Sequence, residues 1–178
     1  FTLGGNGDAY GASTDSGFGW AYKADNGFAI SSNVVSKQNG TSNGLFTNQS
    51  KQSWATQAGY TTDQWSVSAI VNQKYNGWTD GYYESLQHTS SNFTENVTNF
   101  TAIGLRGWWR PLETGTATPA ISLGYDTTAH DGAPEASNNS TAWFAGLTWQ
   151  DIFQADDRIG IAFGQPTMNE DEANEPFA

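Results

Sequence analysis

The sequence has no cysteine, a single methionine and only seven basic residues in 178. Without cysteine there is neither a disulfide framework nor a thiolate metal site. Charged residues make up 14% of the chain, about half the share usual in a globular domain. Eighteen acidic residues leave a net charge of -11, and a chain of that sign repels a phosphate backbone, which excludes nucleic acid as a partner. No apolar run reaches the roughly 18 residues of a transmembrane helix. Hydrophobic residues, at 37%, are sparse for a packed globule. The mean hydropathy of -0.56 is nevertheless compatible with membrane-crossing strands, in which only alternate residues need be apolar.

What the chain does have is glycine, aromatics and a period of two. The clearest stretch is Asn99 to Asp126. Thr101, Ile103, Leu105, Gly107 and Trp109 fall on one face, and Phe100, Ala102, Gly104, Arg106 and Trp108 on the other. After the polar turn PLETGTAT, Pro119, Ile121, Leu123 and Tyr125 alternate with Ala120, Ser122, Gly124 and Asp126. This spacing predicts a hairpin of two strands. A soluble sandwich buries its bulky face and exposes a richly charged one. Here the second face is small rather than charged, and aromatics sit near strand ends, which is the pattern of a transmembrane barrel wall.

The same alternation predicts strands over Ser16 to Ala24, Phe28 to about Lys37, Ser53 to Thr61, Gln64 to Asn72, Thr141 to Gln150 and Arg158 to Gln165. Asp25-Asn26-Gly27 supplies a tight turn with positive φ. The outward face carries Trp20, Tyr22, Trp54, Tyr60, Trp65, Trp109, Tyr125, Trp143 and Trp149, which suit a membrane interface because one end of each ring is polar. The inward face carries Lys23, Arg106, Asp126 and Arg158 with small residues such as Ser66 and Ser122. Charges on a lipid face would cost roughly 2–4 kcal/mol each near the midplane, so these side chains belong in a lumen. Arg106 and Asp126 equally fit a salt bridge within the wall. Ile70 is too large for the small face.

Connections after odd strands read short, those after even strands long, as at the two rims of an outer-membrane barrel. The longest, Gln73 to Thr98, holds Tyr75, Trp78, Tyr82 and Tyr83, a candidate constriction loop or an external loop packed on neighbours. His88 and His130 read as solvated loop residues, and Asp156-Asp157 as a solvated turn. No nucleophile elbow or catalytic triad is legible, so the expectation is a non-enzymatic protein without cofactor or metal. The chain opens loop-like and closes on NEDEANEPFA, and the expectation is that the polypeptide continues at both ends.

The ordered set GFGWAY, GLRGWWRP, ISLGYD, AGLTWQDIF and IGIAFGQPT resembles the carbohydrate-selective porin family, in its cyanobacterial branch, the iron-uptake type with a surface-layer-homology segment. The resemblance implies an all-β, antiparallel transmembrane barrel of sixteen strands, about eight of them in residues 1–178, with the final strands and a peptidoglycan-binding N-terminal domain outside it. It further implies a homotrimer in the outer membrane of a Gram-negative-type bacterium, passing sugars or inorganic ions. Carboxylates in the expected loops (Asp80, Glu84, Glu95, Asp131, Glu135, Glu170, Asp171, Glu172 and Glu175) would draw cations to the mouth, while Lys23, Arg106 and Arg158 would favour anions inside. The alternative is a glycan-binding β-sandwich or surface adhesin without channel activity, with Trp78, Tyr82 and Tyr83 as stacking platforms.

Overall fold

A computed structural model describes residues 16–37, 47, 50–76, 99–131 and 139–169. All its regular structure is β. Eight antiparallel strands, β1 (Ser16–Lys23), β2 (Phe28–Lys37), β3 (Lys51–Thr61), β4 (Trp65–Tyr75), β5 (Asn99–Trp109), β6 (Ala120–Asp131), β7 (Asn139–Gln150) and β8 (Arg158–Asn169), form one sheet. Among the described residues each strand pairs only with its neighbours in sequence, β1 and β8 are the edges of the sheet, and no ladder closes it into a barrel.

The register keeps the two faces apart. Trp65 pairs with Trp109 and Val71 with Ile103, while Ser66 pairs with Trp108 and Asn72 with Ala102. On β6 the same parity carries through Ile121 and Leu123 opposite Leu147 and Ala145. The bulky residues form an outer face exposed to the surroundings, Leu123 at 54% and Ile161 at 57%. The largest fully buried side chains are instead polar: Ser53, Asn72, Lys74 and Thr128 on the inner face, with Ser36 and Ser140. Val34 has outward parity yet is buried. This is the reverse of a water-soluble core.

Five sequence expectations need correction. Strands β4, β6 and β8 run three to five residues beyond their expected ends, because backbone ladders continue where apolar alternation stops. Tyr75 therefore lies on the outer face of β4 rather than in a loop, and His130 and Asp131 end β6, in register with Phe100 and Asn99. Tyr125 and Trp143, paired across β6 and β7, lie mid-strand. Pro166 lies within β8 instead of after it, and the β7–β8 register shifts beside it, since proline cannot donate to the ladder. The short-long alternation of connections fails at the third pair: 132–138 is shorter than 110–119. Trp78, Tyr82, Tyr83 and His88 lie outside the described residues, as do Asp80, Glu84, Glu95, Glu135, Glu170, Asp171, Glu172 and Glu175.

The turns at the end of the sheet where β1 finishes are tied to one another. Gly27 takes a φ of 96°, and its carbonyl accepts the N–H of Thr61 on β3. Arg110 N donates to the Gln64 carbonyl and its Nε to that of Asp63, joining the turns at 62–64 and 110–119. Gly115 N donates to the Gln150 carbonyl, tying 110–119 to the β7–β8 turn. In that turn the Asp157 carboxylate accepts the N–H groups of Ile152, Phe153 and Gln154, and Asp151 accepts that of Asp156. Asp151 and Asp156 both take positive φ. The expected solvated turn is thus a hydrogen-bonded carboxylate nest.

Candidate functional site

The sheet curls about its inner face. A cavity of about 720 Å³ touches every strand from β1 to β7, lined among others by Lys23, Gln57, Ser66, Arg106, Ser122 and Phe144. Parity places these six residues on the inner face, and small inward side chains such as Ala21, Ala29, Ser31 and Ser68 leave the space between them. Hydroxyl pairs such as Thr61 Oγ1 with Ser66 Oγ, 2.8 Å apart, satisfy part of that wall.

One cluster dominates the cavity. Arg106 and Asp126 are diagonal neighbours on β5 and β6, and long side chains span that distance. Arg106 Nη2 donates to Asp126 Oδ2 at 2.6 Å. Its Nη1 donates to the carbonyls of Leu105 and Tyr125 at 2.9 and 3.2 Å, and its guanidinium lies 5.5 Å from the centre of the Phe144 ring, a cation–π arrangement. Its Nε is buried without a partner. The wall salt bridge is therefore formed.

Glycines make the cluster possible. A Cβ on Gly104 would come within 2.6 Å of Asp126 Oδ1 and 2.9 Å of Ile70 Cγ2. The gap at Gly104 is what admits Ile70 to the small face. A Cβ on Gly124 would collide with the Phe144 ring, so the ring lies over that glycine and under Arg106. Phe144 was not singled out by the sequence, although its position between two tryptophan-parity residues on β7 marks it as an inward aromatic.

Of the expected inward residues, the structure brings Lys23, Arg106, Ser66 and Ser122 to one cavity, with Asp126 behind them against Arg106. Arg158 has inward parity but starts edge strand β8, exposed and outside that lining. Near it, a second cavity of about 240 Å³ lies among the turns, lined by Asp63, Arg110 and Glu113; Arg110 also faces the Trp108 ring at 5.5 Å.

On the outer face the aromatics edge an aliphatic field. Tyr22, Tyr60, Trp65, Trp109 and Trp149 lie near the short-turn ends of their strands, and Tyr60 stacks on Trp65 at 5.5 Å. Trp20, Trp54, Tyr125 and Trp143 lie farther along. Beyond them the outer face turns polar, at Gln73, Thr101, Thr127, Thr141 and Gln165. Indole N–H groups point to polar partners at these boundaries: Trp54 to Gln52 Oε1, Trp143 to Gln165 Oε1 and Trp149 to the Ala117 carbonyl. Among the described residues no group of three His, Asp or Glu side chains could hold a metal ion. Comparison with protein-family models, curated proteins and solved structures gives no match.

Proposed function

We propose that this chain is part of the wall of a transmembrane β-barrel that acts as a passive diffusion channel for small hydrophilic solutes, inorganic ions foremost. The observation that carries the reading is the inverted distribution of side chains. An aliphatic outer face edged by anchored tryptophans is exposed, while serine, asparagine, lysine and threonine are buried within. In water that arrangement forfeits the hydrophobic term; against lipid it gains it. Most strands have 10 to 12 residues, near the 9–11 that a tilted strand needs to cross a bilayer. A two-layer sandwich would cover the bulky face, and among the described residues one sheet exists.

On this reading further strands join β8 back to β1, as in the sixteen-stranded, trimeric outer-membrane porins that the sequence resembles, with peptidoglycan held by another domain. The reading involves no catalysis and no cofactor. Its test is extraction and conductance. The protein partitions into detergent, migrates differently on gels before and after heating, and opens stable conductance steps in a planar bilayer. Full solubility in plain buffer, with no conductance, refutes it.

A further inference from the structure

The charges lining the main cavity belong to Lys23 and Arg106, and they are not equivalent. Lys23 is exposed. Arg106 is held on the wall by two backbone carbonyls, by the Phe144 ring and by the Asp126 carboxylate 2.6 Å away. A guanidinium so fixed cannot swing out to meet a passing ion. With a carboxylate against it, a solute feels a dipole, whose field fades faster with distance than that of a single charge.

We propose that Asp126 sets the ion preference of the cavity by cancelling Arg106, which leaves Lys23 as the single net charge on the lining. The inference rests on the channel reading and deepens it: Asp126 is the specificity-determining residue, and its partner is the permeating ion. The local packing is built to keep the pair together. Gly104 clears the space that Asp126 Oδ1 occupies, and Gly124 lets Phe144 lie beneath the guanidinium. An asparagine at 126 keeps the shape and an acceptor for Arg106 Nη2 while removing the negative charge, so D126N isolates the electrostatic part.

The experiment measures reversal potentials in a salt gradient across planar bilayers for the wild-type protein, D126N, R106Q, K23Q and the double variant R106Q/D126N. Each single change shifts the permeability ratio a few-fold. D126N unmasks Arg106 and moves preference toward anions; R106Q and K23Q each remove one positive charge and move it toward cations. The double variant returns to the wild-type ratio, because the two losses cancel. Lys23 is exposed, and K23Q leaves the pair intact while taking the lining to zero net charge. A K23Q channel that still prefers anions therefore shows Arg106 uncancelled and overturns the inference even where a change in the pair prevents insertion. Conducting single variants with an unchanged ratio, or a double variant that fails to return, overturn the inference alone. A wild-type protein without conductance overturns the channel reading and the inference with it.

Discussion

Gly27 shows how much one backbone position can decide. Its φ of 96° is strained for any residue with a Cβ, and that Cβ would meet the Thr61 carbonyl of β3. Gly27→Ala is expected to destabilise the protein by about 1–3 kcal/mol, read as a lower unfolding midpoint in detergent. Asp157 is the second such position. Partial burial acts to raise its carboxyl pKa, but the N–H groups of Gln154, Phe153, Ile152 and Asp151 outweigh it, and the value falls below the ordinary 3.8. A depressed carboxylate stabilises the fold fully above its unfolded value, and the contribution disappears as pH drops through the folded one. The β7–β8 turn should therefore hold from neutrality to about pH 4 and loosen below it. Faster amide exchange at Ile152 to Gln154 in acid would show this, and in Asp157→Asn the exchange should already be fast at neutral pH.

Strands and their parity were the most legible level. Every strand was visible in a period of two, since side chains alternate across the pleat whatever lies beyond. The ends were not visible, because at Gln73 to Tyr75 and at Thr127 to Asp131 the ladder runs on through residues with no apolar pattern. The inner cluster was half legible. Arg106 and Asp126 could be seen as either free lumen charges or a pair, and the register decides for the pair. Phe144 and the role of Gly104 needed the diagonal contacts. Face assignment has a direct check, helped by a chain without cysteine. In bilayers Ser122→Cys should react with a membrane-impermeant thiol reagent, and Leu123→Cys, one residue on and facing the other way, should stay unlabelled. Labelling of Leu123→Cys alone would reverse the faces.

For the molecule as a whole, the two faces should meet different media. Lipids brominated along their tails quench the indoles they touch. Trp65, Trp109 and Trp143 are on the outer face, whereas Trp108 lines the cavity. Trp108→Phe should raise the quenchable fraction of tryptophan fluorescence, because it removes a shielded emitter; Trp109→Phe should lower it. Equal effects of the two replacements would mean that both rings share one environment, contrary to the channel reading.

Among the described residues every strand of this sheet is hydrogen-bonded only to the strand before it and the strand after it. Such a wall is additive. The contacts of β1 to β4 are indifferent to whether two or ten strands follow, and a hairpin carries its own turn, register and face assignment with it. Gaining or losing one hairpin preserves the up-and-down sense of all the rest and changes only the width of the sheet. On the channel reading, then, the calibre of such a wall can be retuned over generations in steps of two strands by duplication or deletion, with the pairing of the other hairpins left as it is.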